Sequence, residues 1–187
     1  MVRGQNKTYE GPFRRALFFL GILVGMRLIL FGMLAFAGTL PVGTPWPVTE
    51  AETLSGGKIR LPDAAKGKYT LVVMTFSKDA GEASKAWCNR FAKDFGTDRI
   101  YQIAHLEKAP RLVRGLIRRG MRGDMPVAMQ GRMLLIYNDE AQWRERFDVT
   151  NENLPYLVML DAEGRITWLH QGSFDESVYQ KLRQHAV

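Results

Sequence analysis

Cysteine is nearly absent from this sequence, which contains Cys88 and no other cysteine among 187 residues. An internal disulfide, a Cys-x-x-Cys redox pair and a cysteine-based zinc site all need at least two cysteines, so the composition excludes them. Histidine is also scarce, and His105, His170 and His185 have no spacing typical of metal ligands. We therefore predict no metal site and no cofactor.

The sequence also lacks the strong basic excess of a nucleic-acid-binding domain. Its net charge is +7, but residues 1–37 hold five basic residues and one acidic residue, which leaves +3 for the rest. Nucleic-acid binders normally show a concentrated basic stripe together with a recognisable reading motif. Nucleic acid is therefore not a predicted partner.

A long apolar run is present near the amino terminus, over residues 16–40. The run is long enough to cross a bilayer. Arg14 and Arg15 precede it, and no charge occurs between Arg27 and Glu50. By the positive-inside rule, residues 1–40 target a membrane and the rest of the chain faces away from the cytoplasm. We expect the extracytoplasmic, periplasmic face of the inner membrane.

Arg27 leaves two interpretations of residues 1–40 open. A cation inside a spanning helix is costly, so the segment is either an uncleaved signal anchor or a cleaved signal peptide that starts at Met26 and ends after Ala37. Both interpretations export the remainder of the chain, either anchored or free. Residues 41–50 contain three prolines and predict an extended linker, with a folded domain over residues 51–187.

The folded part shows alternating strand and helix patterns, which predict an α/β domain. A hairpin is expected around Gly56-Gly57, and residues 71–76 resemble a central strand that is covered on both faces. Asp79 and Glu82 have the spacing of a helix capping box. Further strands are predicted at residues 100–106, 133–137, 156–160 and 166–169, and further helices at residues 110–121, 140–147 and from 175. The turn at residues 161–164 predicts that the last two strands form an antiparallel hairpin.

Two segments carry a family resemblance, LSGGKIRLPDAAKGKYTLVVMTFS and RFDVTNENLPYLVMLDAEGRITWLHQG. They resemble the opening and the close of the redoxin branch of the thioredoxin superfamily. The resemblance implies a three-layer α/β/α domain with a mixed central sheet. It also places Leu154-Pro155 where that family has a cis-proline, beside a groove for extended polypeptides.

The resemblance implies a Cys-x-x-Cys motif at the start of the first long helix, but no cysteine is present there. A degenerate turn stands in its place, comprising Asp79, Ala80, Gly81, Glu82, Ala83 and Ser84. Two-cysteine redox exchange is therefore excluded. Cys88 is the one candidate catalytic residue, but it lies on the apolar face of the helix, where burial raises a thiol pKa and suppresses the thiolate.

The segment RLVRGLIRRGMRGDM predicts a basic amphipathic helix. In one interpretation its apolar residues pack on the sheet and leave a solvated arginine face. In the other, the arginines lie on an anionic bilayer or an acidic partner. The apolar set is Leu112, Val113, Leu116, Ile117 and Met121, and the arginine set is Arg111, Arg114, Arg118 and Arg122.

The cysteine-free turn together with this basic helix is similar to mitochondrial assembly factors for the membrane sector of ATP synthase, which are thioredoxin-like, non-redox chaperones. We therefore predict a non-redox binding or assembly module that contacts the membrane and a protein partner. Its predicted contact residues are Leu154, Pro155, Tyr156 and the arginine set. A one-cysteine thiol peroxidase or reductase using Cys88, and a passive subunit or spacer of a membrane complex, are the alternatives.

Overall fold

The computed structural model describes residues 40–186. The predicted targeting segment 1–40 therefore lies outside the described residues except for Leu40. Within the described range, no helix combines the length and the apolarity that crossing a bilayer requires.

A seven-stranded mixed sheet forms the centre of the domain, in the order β2-β1-β5-β4-β3-β6-β7. Strands β3, β4 and β5 pair in parallel, and all other neighbours are antiparallel. The strands are β1 Thr49–Thr53, β2 Lys58–Leu61, β3 Thr70–Thr75, β4 Ile100–His105, β5 Met133–Ile136, β6 Tyr156–Leu160 and β7 Ile166–Gln171. The predicted hairpins β1–β2 and β6–β7 are both confirmed.

Between residues 40 and 186, five α-helices connect and follow these strands. They are α1 Lys78–Phe95, α2 Arg111–Asp124, α3 Val127–Gln130, α4 Glu140–Arg146 and α5 Glu176–Arg183. Parallel strands need crossover connections, and here α1 links β3 to β4 while α2 and α3 link β4 to β5. The helices therefore cover the faces of the parallel part of the sheet.

Strand β3 is buried along its whole length because helices cover both of its faces. Val72 and Met74 face a core that contains Trp143 of α4. Leu71 and Val73 point the other way, into a core built with residues of α1 and α5. Successive strand residues alternate between faces, so an unbroken apolar run is the pattern expected of such a strand. The predicted α/β architecture with a mixed sheet is thus confirmed.

The segment predicted as a linker is part of the domain, so the prediction of a free linker over residues 41–50 is wrong. Trp46 is buried and contacts Trp143 and Phe147. The Gly43 amide donates to the Ile166 carbonyl at 2.7 Å, which attaches the segment to β7. The prolines suggested an extended chain, but burial of an indole ring holds that chain against the sheet.

Candidate functional site at the carboxyl edge of the sheet

The turn between β3 and α1 is closed by a helix cap where redox relatives carry a thiol pair. Ser77 is the N-cap, and its hydroxyl accepts a hydrogen bond from the Ala80 amide at 3.1 Å. The predicted capping box at Asp79 and Glu82 is therefore wrong. Both residues lie inside the helix, where Glu82 accepts a hydrogen bond from Lys85.

The residues of the degenerate turn differ in exposure because they lie on the first two turns of α1. Asp79 and Glu82 face solvent, Gly81 and Ala83 are partly buried, and Ala80 and Ser84 are buried. The hydroxyl of Ser84 donates to the Gly81 carbonyl at 2.7 Å. Every hydroxyl in this turn thus serves the backbone of α1, and no side chain is positioned as a nucleophile.

Cys88 lies on the buried side of α1, in the same core as Trp87 and Phe91. Burial raises the pKa of its thiol to about 12. A thiol with such a pKa is almost entirely protonated near neutral pH and reacts slowly. The arrangement accordingly gives Cys88 a packing role.

The loop before β6 lies beside this turn because β3 and β6 are neighbouring strands. Met74 pairs with Tyr156, so the end of β3 is level with Leu154-Pro155. The cis peptide bond in the described residues is Leu61-Pro62, and Leu154-Pro155 is trans. The expected cis bond at Pro155 is therefore wrong. Tyr156 and Pro155 are buried, and Leu154 is the partly accessible residue of the three.

The side chain of Gln171 at the end of β7 fixes this loop. Its carbonyl oxygen accepts from the Thr150 hydroxyl at 2.9 Å, and its amide donates to the Asn151 carbonyl at 2.7 Å. On the other side, the Gly172 amide donates to the Pro155 carbonyl at 3.2 Å. The loop that presents Leu154 is thus held at both ends by its neighbouring strand.

An ion-pair network is joined to the loop before β6 through Glu152. Glu152 Oε2 accepts from Lys108 Nζ at 2.6 Å and from Arg144 Nη2 at 2.5 Å. The hydrogen bond from Lys108 lowers the pKa of Glu152, and the same bond raises the pKa of Lys108. This network joins the β4–α2 loop, helix α4 and the loop before β6.

Glu140 is the buried member of the network. Its carboxylate lies 3.5 Å from Lys108 Nζ and 3.6 Å from Arg144 Nε, which are ion-pair distances rather than hydrogen bonds. Neither of its oxygens has a hydrogen-bond partner among the described residues. The Glu140 amide donates to Glu107 Oε2 at 2.6 Å, so a residue of another loop caps α4. Asp139 has a left-handed backbone and no capping side chain.

His105 lies at the carboxyl end of β4 beneath this network. Its ring stacks on Phe76 with centroids 4.4 Å apart and contacts Trp143 at 5.4 Å. Neither ring nitrogen has a hydrogen-bond partner among the described residues. Burial, assisted by the nearby charge of Arg144, lowers the pKa of His105 to about 4. The imidazole is therefore neutral near pH 7.

The site presents Leu154 and the charged groups of Lys108 and Glu152 on a fixed framework. Residues 40–186 contain no group of His, Cys, Asp and Glu side chains that could hold a metal ion. Sequence reasoning missed Lys108, Glu140, Arg144 and Glu152. The available signal was the position of Lys108 and Glu140 shortly after the predicted strands that became β4 and β5, because α/β sheets usually place functional residues beyond the carboxyl ends of parallel strands.

Three arginines of the basic helix α2 contact the domain. Arg118 forms a two-point contact with Glu52 of β1, with a shortest N–O distance of 2.7 Å. Arg114 donates to the Ala109 carbonyl at 2.9 Å and lies over the Tyr137 ring. Arg122 donates to the Leu54 carbonyl at 2.8 Å.

The apolar residues of α2 divide between the two sides of the helix. Met121 packs against the core under α2, and Ile117 is partly buried. Leu112, Val113 and Leu116 are exposed. Of the two interpretations of this helix, the one with all apolar residues packed on the sheet and the arginines in solvent is therefore wrong. Arg114, Arg118 and Arg122 reach inward because Glu52 and the backbone carbonyls of Ala109 and Leu54 accept their hydrogen bonds.

Comparisons with known proteins agree with this fold. The family model described as ATP10 protein matches residues 44–184. A thioredoxin domain of a thiol-disulfide oxidoreductase from Bacteroides vulgatus shares 16% identity at a TM-score of 0.57, over 80% of this chain and 100% of that chain. A thio-disulfide isomerase from Thermus thermophilus shares 19% identity at a TM-score of 0.52, over 79% of this chain and 97% of that chain.

A third similar structure is BsSco, a member of the Sco family of cytochrome c oxidase assembly proteins, at 8% identity and a TM-score of 0.54. The alignment covers 79% of this chain and 96% of that chain. No curated protein matches this chain significantly. At these identities the structural likenesses show the fold, and the predicted thioredoxin-like architecture and the similarity to ATP-synthase assembly factors are confirmed.

Proposed function

Because this chain belongs to the ATP10 protein family, we propose that it is a non-redox assembly factor for a membrane complex, namely the membrane sector of ATP synthase. One observation carries the proposal: a thioredoxin-like domain has a serine helix cap where its redox relatives carry thiols, and its one thiol is buried. A fold that has lost its reactive groups but keeps a rigid edge is suited to binding a polypeptide without exchanging disulfides.

The contact surface of the proposed function is the loop that presents Leu154. It also includes the exposed residues Lys78 and Asp79 in the first turn of helix α1. Gln171 and Glu152 hold this loop through hydrogen bonds and ion pairs. A preformed loop loses little conformational entropy when a partner binds, which favours recognition of an incompletely assembled subunit. The charged groups of Lys108 and Glu152 at its rim would select a partner with complementary polar groups.

The proposal includes tethering by residues 16–40 on the extracytoplasmic side of the membrane. The apolar run and the Arg14-Arg15 pair support this orientation. An assembly factor held at the bilayer encounters membrane subunits as they are inserted. If the chain starts at Met26 and is cleaved after Ala37, the domain is released from the membrane instead of anchored to it. The side to which the domain is exported is the same in both cases.

The experiment is removal of the chain followed by complementation, with native gel electrophoresis of solubilised membranes to quantify assembled ATP synthase. We expect loss of the chain to lower the amount of assembled enzyme, and Cys88→Ala to restore it. Leu154→Glu is expected to restore it poorly, while Lys58→Glu, on the exposed hairpin at the opposite sheet edge, is the matched surface control and restores it.

Failure of Cys88→Ala to complement, with the protein folded and at normal abundance, would support the one-cysteine enzyme instead. Full assembly of ATP synthase without the chain would exclude the assembly role. If the chain then still co-purified with the enzyme in stoichiometric amount, it would be a passive subunit or spacer.

A further inference from the structure

Half of the large exposed apolar side chains of the described residues lie on one helix. Six such side chains are exposed between residues 40 and 186, and three of them, Leu112, Val113 and Leu116, belong to α2. Leu112 is 98% exposed and Leu116 is 70% exposed. Contiguous exposed apolar patches on a soluble domain usually mark an interaction surface. We call Leu112, Val113 and Leu116 the outer ridge.

The outer ridge is a consequence of how α2 is attached to the domain. Leu112 and Leu116 are four residues apart and therefore share a helix face. Arg114, Arg118 and Met121 occupy the opposite face and make the contacts with the domain. The hydrogen bonds of Arg114, Arg118 and Arg122 together fix the rotation of the helix about its axis. The leucines are thus held outward and cannot turn in without breaking those contacts.

Positive charge surrounds the outer ridge. Helix α2 contains five arginines and one acidic residue, Asp124, at its carboxyl end. Arg111 and Arg119 are exposed and form no ion pair with any residue in the described part of the chain. A helical wheel places Arg119 on the same side as Leu112 and Leu116, because it is three residues beyond Leu116. The outer ridge therefore has cationic edges that are available for an anionic partner.

We propose that the outer ridge of α2 docks in the interfacial region of a bilayer that contains anionic lipids, with the leucines among the upper acyl chains and Arg111 and Arg119 at headgroup phosphates. Interfacial helices combine a narrow apolar stripe with flanking arginines in this way. The core of a protein–protein interface is instead enriched in aromatic residues, and the outer ridge contains none. Guanidinium groups also bind phosphate oxygens in a two-point geometry.

This docking mode is independent of the assembly role and differs from binding through an arginine face. Two of the predicted contact residues, Arg114 and Arg118, are engaged with the domain and position the helix. The lipid contacts belong to Leu112, Leu116 and the exposed arginines. Helix α2 would set the domain at a defined height and orientation above the bilayer.

The test places a fluorescent label at the outer ridge of the full chain. Leu116→Cys carries an environment-sensitive dye, and Asn89→Cys on the exposed side of α1 is the matched control position. The native Cys88 is buried with a pKa of about 12, so labelling at neutral pH is selective for the introduced thiol. The chain is reconstituted into vesicles of phosphatidylcholine alone or of phosphatidylcholine and phosphatidylglycerol in equal amounts, each with a lipid-borne quencher.

We expect the label at position 116 to be quenched in the anionic vesicles and the label at position 89 to remain unquenched in both. Replacing Arg111 or Arg119 by Gln is expected to lower the docking equilibrium about fivefold for each arginine. High salt should weaken docking in the same direction. Leu116 is exposed, so its replacement removes no packing, and tryptophan emission identical to that of the parent checks the fold.

Equal quenching at positions 116 and 89 in anionic vesicles would overturn the proposal. Equal quenching at position 116 in neutral and anionic vesicles would overturn the role of anionic lipid. A label at position 116 that is shielded only when ATP-synthase subunits are present would show that the ridge docks on protein, which also overturns it. None of these results depends on complementation, so they are distinguishable from failure of the assembly role.

Discussion

Replacement of His105 by phenylalanine is expected to flatten the pH dependence of domain stability between about pH 7 and pH 5. The imidazole packs between Phe76 and Trp143, and neither nitrogen has a hydrogen-bond partner among the described residues. Protonation would place a cation in this aromatic pocket beside Arg144. The folded state therefore resists protonation, and burial lowers the pKa of His105 from 6.5 to about 4.

The sign and size of the stability change follow from the linkage between protonation of His105 and unfolding. Above pH 6.5 the histidine is neutral in both states, and stability is at its full value. As the pH falls below 6.5 the unfolded chain binds a proton that the folded chain does not, and stability is lost until the pH reaches the folded pKa of about 4. With about 1.4 kcal/mol for each pKa unit, the loss at pH 5 is about 2 kcal/mol, and it approaches 3 kcal/mol near pH 4.

The assay is urea unfolding of the full chain in neutral detergent, followed by tryptophan fluorescence at a series of pH values. All four tryptophans lie beyond residue 40, so the signal reports on the folded domain. The matched control is His185→Phe, at a partly exposed position near the carboxyl terminus. Between pH 7 and pH 5, the free energy of unfolding of this variant should change with pH as steeply as that of the parent chain. Equal slopes for the parent and His105→Phe would refute the reasoning.

Three further predictions use the same unfolding measurement. Ser77→Ala removes the cap of α1 and should lower the free energy of unfolding by about 1 kcal/mol. An unchanged free energy of unfolding would mean that the cap does not stabilise the helix. Gly67 and Gly164 share a φ of 82°, but a Cβ at Gly164 would lie 2.5 Å from a proline side chain and one at Gly67 has open space. We expect Gly67→Ala to cost about 1 to 2 kcal/mol and Gly164→Ala about 1 to 3 kcal/mol more, and equal costs would contradict this. A double-mutant cycle between Arg118 and Glu52 should give a coupling of no more than about 1 kcal/mol, because both side chains are partly exposed; a much larger coupling would contradict the screening.

Strand and helix order was predictable from the sequence because apolar periodicity reports burial directly. The run at residues 71–76 indicated a central strand, and the structure buries every residue of β3. The Asp161–Gly164 turn likewise indicated the β6–β7 hairpin. Local patterns of this kind depend on neighbours within a few residues.

The errors arose where a distant partner decides the outcome. Helix α2 was expected to bury its leucines, but Glu52, far away in the sequence, binds Arg118 and turns them outward. The cap of α1 is Ser77 although Asp79 and Glu82 have the better motif, because the helix begins directly after β3. Glu140 gave no periodic signal, since its burial depends on the β4–α2 loop, which brings Lys108 to it.

The burial of Cys88 within α1 has a consequence for where the chain can fold. Thioredoxin-like domains with an active dithiol change their bonding with the surrounding redox potential. Here no disulfide can form within the chain, and the lone thiol is shielded from oxidants and from mixed-disulfide exchange. The domain therefore has one covalent form in both a reducing and an oxidising compartment. The loop that presents Leu154 therefore needs no oxidase or reductase to set its covalent state.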